Sequence, residues 1–212
     1  MEQLTQKTLV MLVGPTAIGK STLMNATARL DSEFARVTGF TTREPRQNDE
    51  PGQYRYYTQA ELQEKIDTDS LVQYAVFPTT GQAYGTELID YPGVFNLKDT
   101  LSNAVEDFKK VPFAQVITIS VVANPDDWKQ WLQIRYPTAS NERKQRLEQA
   151  VISLEWSLSQ IKDHYWIINR AGDTTSIASE LIELVRNPIP TSITPKEADE
   201  LYQTAKTLLS YE

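Results

Sequence analysis

Cysteine is absent from this sequence of 212 residues, and histidine occurs once. Without a thiol there is no disulfide bond, thiolate nucleophile, iron–sulfur cluster or cysteine-bound zinc, and one imidazole cannot build a histidine-rich metal site. Long apolar runs are also missing, since none approaches the roughly 18 residues that a membrane-spanning helix needs. The composition therefore excludes thiol and soft-metal chemistry, and we expect no membrane among the partners.

Positively charged residues are fewer than negatively charged ones. Lysine and arginine number 21 against 28 for aspartate and glutamate, so the formal net charge is −7. A surface that binds nucleic acid needs an excess of positive charge to neutralise phosphates, so we do not expect nucleic acid as a partner. The first residues lack the basic segment and apolar stretch of a signal peptide. We therefore expect a cytoplasmic protein.

Strand-like and helix-like segments alternate along the chain. Apolar and β-branched runs predict strands at 8–13, 34–42, within 111–123 and at 165–168. Apolar residues at helical spacing predict helices at 20–30, 59–67, 126–135, 141–162, 175–186 and after Thr194, which we expect to cap the last helix. This alternation predicts an α/β fold with a parallel central sheet flanked by helices, in one domain with a sizeable insertion.

A glycine-rich loop follows the first predicted strand. Residues 14–21, GPTAIGKS, match the phosphate-loop pattern G-x-x-x-x-G-K-S/T between a strand and a helix. In such a loop the backbone N–H groups bind phosphate, the Lys20 ammonium reaches the β- and γ-phosphates, and the Ser21 hydroxyl binds Mg²⁺. The predicted contacts to a nucleoside triphosphate are Gly14, Pro15, Thr16, Ala17, Ile18, Gly19, Lys20, Ser21 and Thr22. The alternative is a glycine-rich turn with an incidental lysine.

The phosphate loop alone does not name the acceptor, because GTPases, ATPases and small-molecule kinases share it. Further along, three arginines lie among three tyrosines: Arg43, Arg46, Arg55, Tyr54, Tyr56 and Tyr57. Arginine binds phosphate through two parallel hydrogen bonds, so this cluster predicts a second anion site. The alternative is a solvated loop whose charges are balanced by neighbouring acidic residues.

Four ordered segments resemble the guanylate kinase family. They are TTREPR at 41–46, AYGT at 83–86, RLEQA at 146–150 and WIIN at 166–169. With the phosphate loop, the resemblance covers about residues 8–186. It implies a P-loop kinase fold with a core at 1–35, 91–125 and 163–190, an acceptor-binding insertion at about 36–90, a helical lid at about 126–150 and a C-terminal helical extension at 191–212.

The resemblance also implies roles for single residues. ATP and Mg²⁺ would be the cofactors, and a nucleoside monophosphate, first of all GMP or dGMP, would be the acceptor. Its phosphate would be held by Arg43, Arg46, Tyr54 and Tyr84, and its base would face Thr86. The catalytic residues would be Lys20, Arg43, Arg135 and Arg146, the last two coming from the lid and the helix after it, and Asn169 would lie beside the adenine. The alternatives are helix-surface charges for the last two arginines and a strand-end turn residue for Asn169.

Several positions depart from the family pattern where the base is recognised. Gln73 stands where the family usually has glutamate, and an amide offers one acceptor and one donor pair instead of two acceptors. Gly39 stands where a serine is usual, and Trp131 replaces the first lid arginine. Asp99 is the candidate for the family's acidic strand end, within the acceptor site, or else an ordinary strand-end residue.

These departures leave alternatives open. The acceptor could be another nucleotide or a ribose bisphosphate, and a catalytically silent interaction module is a third possibility, against which the intact phosphate loop argues. We expect His164 at the surface or a strand edge and the four tryptophans in a core. The last helix would pack back on the domain or form a self-association surface, so the protein would be a monomer or a homodimer.

Overall fold

Two β-sheets organise the chain in the computed structural model, which describes residues 2–45, 52, 54–76, 80–160, 164–189 and 193–212. The strands are β1 (Thr8–Val13), β2 (Phe34–Arg36), β3 (Gly39–Thr41), β4 (Tyr54–Tyr56), β5 (Leu71–Val76), β6 (Ala83–Glu87), β7 (Phe95–Asp99), β8 (Gln115–Ala123) and β9 (His164–Asn169). The helices are α1 (Lys20–Leu30), α2 (Gln59–Asp67), α3 (Val105–Lys109), α4 (Pro125–Arg135), α5 (Asn141–Ser159), α6 (Thr174–Arg186) and α7 (Lys196–Leu209).

The core sheet has five parallel strands in the order β2-β7-β1-β8-β9. All of β1 is buried, because both faces of the sheet are covered. Val10 and Leu12 pack with residues of α1, α4, α5, α6 and α7, whereas Leu9 and Met11 pack with residues of α3. The carboxyl ends of the strands share one edge, which is where ligands bind in sheets of this kind. This arrangement confirms the predicted fold class.

A second, smaller sheet lies between β2 and β7 in the sequence. Its order is β4-β3-β6-β5, with β3 and β4 parallel and the other pairs antiparallel. Helix α2 covers it by packing Leu62 with Phe40 and Ala83. The predicted capping box begins α2: Thr58 Oγ1 accepts from the Glu61 N–H at 3.2 Å, and Glu61 Oε2 accepts from the Thr58 N–H at 2.7 Å.

Most predicted elements are confirmed within a few residues, with differences that have physical causes. The segment 34–42 forms two short strands in different sheets, β2 and β3. The last helix begins later than predicted and Thr194 does not cap it: the Pro195 carbonyl accepts from the Ala198 N–H at 3.0 Å, with no side-chain cap. Helix α5 ends at Ser159, and the rest of its predicted span includes residues outside the described part of the chain.

His164 is buried, so the predicted surface position is wrong, whereas the alternative of a strand edge fits, since His164 is the first residue of the edge strand β9. Only 4% of the residue is exposed, because α5 covers this end of β9. The ring lies edge-on to Trp156 and Trp166, with centroids 5.6 and 5.2 Å away, and Nε2 forms a 2.8 Å hydrogen bond with Ser120 Oγ. Burial lowers the pKa of His164 to about 4, and the charge of Lys109 acts in the same direction.

Helix α7 packs against α5, α4 and β8. Its predicted apolar face is the buried one: Ala198, Leu201 and Ala205 are fully covered. The predicted core position of the tryptophans is confirmed for Trp128, which is fully buried, and the other three are half-buried against the core clusters. Among the described residues, no helix combines the length and apolarity needed to span a bilayer.

Candidate active site

The phosphate loop joins β1 to α1 at the carboxyl edge of the core sheet. Gly19 has φ 92°, in the left-handed region, and a Cβ there would collide with Asn169 Nδ2. Helix α1 begins at Lys20 with no side-chain cap. Its first N–H groups are therefore left for an anion, as the sequence motif requires.

Lys20 lies folded back on the loop. Its Nζ donates to the carbonyls of Gly14 at 2.7 Å and Pro15 at 3.0 Å, and it is 3.7 Å from Asp99 Oδ1. Asp99 is the last residue of β7, and 49% of its side chain is exposed. The structure thus places Asp99 beside Lys20, and its role in the acceptor site stays a prediction.

Three side chains from distant parts of the sequence hold the loop. Trp128 Nε1 donates to the Thr16 carbonyl at 2.8 Å, and Tyr136 Oη lies 3.3 Å from Thr16 Oγ1. Asn169 Nδ2 donates to the Ile18 carbonyl at 2.8 Å. The contacts of Trp128 and Tyr136 were not predicted, because no local pattern marks side chains that meet the loop from more than 100 residues away.

A cleft of about 600 Å³ opens beside the loop, next to Asn169. Its lining comes from the ends of β8 and β9 and the first turns of α4 and α7: Asn124, Asp127, Ile168, Asn169, Arg170, Ala171 and Glu197. The cleft is large enough for a nucleoside. Asn169 lines this cleft and also supports the loop, and its place beside the adenine stays a prediction.

Arg43, Tyr54 and Tyr84 come together on the second sheet. Arg43 Cζ is 5.3 Å from the ring centroid of Tyr54 and 5.8 Å from that of Tyr56. The rings of Tyr54 and Tyr84 meet edge-on at 5.9 Å. Strand β3 lies between the two strands that carry these tyrosines, and its Thr41 pairs with Tyr56 on β4 and with Tyr84 on β6. Three of the four residues predicted to hold the acceptor phosphate are thus adjacent, and Arg46 lies outside the described residues.

Arg55 does not belong to this anion site, contrary to the prediction from its cluster. Its guanidinium bonds both carboxylate oxygens of Asp90, and Nη2 is 2.7 Å from Glu87 Oε2. Tyr57 Oη and Lys65 Nζ also bond Glu87, each at 2.6 Å. Burial alone would raise the pKa of Glu87, but the bonds from Lys65, Tyr57 and Arg55 hold it below its usual value. Arg55 therefore neutralises internal carboxylates.

The two candidate base-reading residues lie opposite each other. Gln73 on β5 pairs with Thr86 on β6, so their side chains share a face of the sheet. Thr86 is fully buried, and its Oγ1 is 2.8 Å from Tyr91 Oη. Gly39 departs from the family for a steric reason: a Cβ there would lie 2.8 Å from the Gly85 carbonyl oxygen. No serine fits at 39 unless the two strands separate.

The two arginines expected on the transferring phosphoryl group do not touch the phosphate loop. Arg135 is exposed, with Cζ 6.0 Å from the ring centroid of Tyr136. Arg146 Nη1 donates to Gln149 Oε1 at 3.0 Å, and Nη2 lies 4.0 Å from Glu142. Arg135 lies near the loop, because the next residue, Tyr136, contacts Thr16. Among the described residues, Arg146 bonds only residues of its own helix.

Residues 6–169 match the family model described as guanylate kinase. The chain belongs to the guanylate kinase family. It is therefore an enzyme of the nucleoside monophosphate kinase class, as the resemblance implies. The matched region ends with β9, so α6 and α7 lie beyond it.

Curated relatives of this guanylate kinase family member are distant. The guanylate kinase of Prochlorococcus marinus is 25% identical over 185 residues, which are 85% of this chain and 98% of that protein. The guanylate kinase of Polaromonas is 26% identical over 157 residues, covering 66% and 75% of the two chains. The crystal structure of guanylate kinase from Anaplasma phagocytophilum superposes with a TM-score of 0.53 at 15% identity, over 85% of this chain and 84% of that one. The last comparison shows the fold.

The metal that the family implies fits the residues present in this family member. Ser21 is the second residue of α1, and its hydroxyl has no hydrogen-bond partner within the described ranges. The same ranges hold no group of three or more histidine, cysteine, aspartate or glutamate side chains that would bind a metal alone. Mg²⁺ in proteins commonly takes one or two side-chain oxygens together with phosphate oxygens and water. Ser21 provides such an oxygen at the phosphate-binding turn.

Proposed function

We propose that the protein transfers the γ-phosphoryl group of ATP to a nucleoside monophosphate, with GMP or dGMP as acceptor, giving ADP and GDP or dGDP. The observation that carries this proposal is the convergence of Arg43, Tyr54 and Tyr84 in a chain that also has an intact phosphate loop. One anion site serves the donor and the other serves the acceptor. Family membership supports the reaction class, and the choice of acceptor rests on the resemblance.

On the donor side, the loop amides and Lys20 bind the β- and γ-phosphates. The Lys20 ammonium has three N–H donors, and in this structure it donates hydrogen bonds to the carbonyls of Gly14 and Pro15. Phosphate oxygens offer stronger, charge-assisted acceptors within reach of the same side chain. Bound through Ser21, Mg²⁺ supplies further positive charge to these oxygens.

On the acceptor side, Arg43 and the hydroxyls of Tyr54 and Tyr84 bind the monophosphate, together with Arg46. An acceptor phosphate is already ionised near pH 7, so the reaction needs positioning and charge neutralisation more than a general base. Arg135 and Arg146 reach the phosphoryl group only if the lid closes, which also excludes water. We propose lid boundaries of about 126–150 and an acceptor-binding insertion of about 36–90.

Replacing Lys20 tests the donor site. We expect Lys20→Ala to lower kcat by about 100-fold or more, because a charge that stabilises the transferring phosphoryl group is lost. The fold should persist, since within the described residues the hydrogen bonds and ion pair of the Lys20 side chain go to its own loop and to Asp99. The measurement is coupled ADP release with GMP, alongside thermal unfolding. Lys110→Ala, an exposed change directly after α3, is the control, and full activity of Lys20→Ala would contradict the mechanism.

A second candidate function is the same transfer to another phosphorylated acceptor, such as another nucleotide or a ribose bisphosphate. Gln73 and the close approach of β3 and β6 at Gly39 favour it, because both remove groups that the family uses for guanine. ADP release with GMP, dGMP, AMP, CMP, UMP and ribose 1,5-bisphosphate separates the candidates. A clear preference for GMP eliminates this one, and failure to bind ATP in calorimetry would favour a silent interaction module.

A further inference from the structure

Helix α7 begins at the cleft beside the phosphate loop, although it lies outside the region that matches the family model. Its second residue, Glu197, is half-buried and lines the cleft with Asn169 and Arg170. The neighbouring turn of α7 packs through Ala198 into the core, which fixes the direction of the helix. Glu197 is therefore held at the cleft by packing.

The Glu197 carboxylate has no hydrogen bond or ion pair with any residue in the described part of the chain. Other acidic groups nearby are paired: Glu200 lies 3.9 Å from Lys196, and Asp173 and Glu180 lie 4.0 and 3.8 Å from Arg170. A half-buried carboxylate without a partner has lost some hydration and has regained no hydrogen bond from the protein. The Glu197 carboxylate can therefore accept a hydrogen bond from a ligand.

The position of the cleft identifies which part of a ligand it would hold. Asn169 lines the cleft and donates to Ile18 in the phosphate loop, so the cleft starts where the triphosphate site ends. The family resemblance implies that the base of a nucleotide bound to the loop lies beside Asn169, in the direction of this cleft. The donor groups on a nucleobase are its ring N–H and its exocyclic amine, and a carboxylate can only accept.

We propose that Glu197 accepts a hydrogen bond from the exocyclic amine of the donor nucleobase, so that α7 takes part in binding ATP. This inference rests on the proposed function, which makes ATP the phosphoryl donor. Asp127, from the first turn of α4, adds a second carboxylate to the cleft lining. Together these acidic side chains favour a base with an amine over an otherwise identical base that lacks it.

The test compares the binding of ATP and of purine riboside triphosphate, which lacks the amine, by calorimetry with Mg²⁺ and without acceptor. We expect wild type to bind ATP about 10-fold more tightly, because a charge-assisted hydrogen bond is lost with the amine. Glu197→Ala should bring the ratio of the two dissociation constants close to one, and Glu197→Gln, which keeps one carbonyl acceptor, should give an intermediate ratio. Glu200→Gln, an exposed change one turn further along α7, should leave the ratio unchanged.

A ratio that is the same in wild type and Glu197→Ala would overturn the inference, provided that thermal unfolding shows both proteins folded. Wild type that binds neither triphosphate would instead contradict the proposed function. Because binding is measured without acceptor, an error in the assigned acceptor leaves this test intact. A loss of affinity for both triphosphates with an unchanged ratio would assign Glu197 a structural role and also overturn the inference.

Discussion

Gln73 and Thr86 occupy paired positions on β5 and β6, and Gln73, the half-buried member of the pair, is the one expected to meet the acceptor base. A glutamine there gives guanine one acceptor for two adjacent donors, N1–H and the exocyclic amine. A carboxylate would accept from both, with the added strength of a charged acceptor. We therefore predict that the side chain at position 73 influences which base is preferred.

We expect Gln73→Glu to raise kcat/KM for GMP by about 5- to 10-fold, since one hydrogen bond is gained and one becomes charge-assisted. The value for AMP, which has an acceptor at ring N1, should not rise. Steady-state ADP release with both acceptors measures the change. Gln203→Glu adds the same charge on an exposed face of α7 and serves as the control. An unchanged ratio between GMP and AMP would mean that Gln73 does not read the base.

Arg55 shows why the chemical role of a single residue is hard to predict from sequence. Its neighbours in sequence suggested an anion site, but its partners Asp90 and Glu87 come 35 and 32 residues later. Arg43 lies against Tyr54 and Tyr56 of β4, so it stays a candidate for the acceptor site. Local composition indicated a cluster of arginines, and long-range pairing removed Arg55 from the candidates for an anion site.

Among the elements, the turn between α4 and α5 is tied to the segment that follows α7. Arg143 Nε is 2.7 Å from Glu212 Oε1, and Arg143 Nη1 donates to the Tyr136 carbonyl at 3.3 Å. Tyr136 in turn reaches Thr16 of the phosphate loop. The side chains of Arg143 and Glu212 are only 15% and 8% exposed, so solvent screens their attraction little.

Breaking this link should weaken the binding of ATP. We expect Glu212→Gln to raise the Kd for ATP about 3- to 5-fold, because the turn that carries Tyr136 is held less firmly and the charge of Arg143 is left without its partner. Arg143→Met should do the same, and the double variant should be no worse than Arg143→Met alone, because the two residues act through one interaction. Calorimetry gives the Kd values. Additive effects of the two changes would argue against coupling, and Lys144→Met is the matched control on α5.

The elements were more predictable than their mutual contacts. The strand β1, the loop and α1 follow from a continuous apolar run, a glycine motif and helical spacing, all of which are local. The second sheet was not predicted as such, because β3 and β4 have only three residues each and their pairing is long-range. Thr194 looked like a cap by residue type, but the chain enters α7 through Pro195, whose carbonyl closes the first turn.

At the scale of the whole molecule, the stability of the core sheet depends on a neutral histidine. His164 bonds Ser120, which donates at 2.5 Å to Ser157 Oγ on α5, so a protonated ring would lie among groups that do not compensate its charge. The pKa of His164 in the fold, about 4, is below the ordinary value of 6.5. The folded state therefore binds fewer protons than the unfolded state between these values.

The free energy of unfolding should consequently be highest above pH 6.5 and fall as the pH decreases toward 4. Between pH 7.5 and pH 5 this histidine should account for a loss of about 2 kcal/mol. Urea unfolding of wild type and His164→Gln at both pH values checks the expectation, since the variant should lose about 2 kcal/mol less over the same interval. An identical pH dependence in the two proteins would show that His164 is not the group responsible.

The contact between Gly19 and Asn169 has a consequence for how this sequence can evolve. Any side chain at 19 meets the amide of Asn169, and any shorter side chain at 169 releases the Ile18 carbonyl. A substitution at either position alone would disturb the phosphate loop. Among relatives of this chain, variation at these two sites should be correlated, so that a change at the end of β9 is inherited together with a compensating change in the loop.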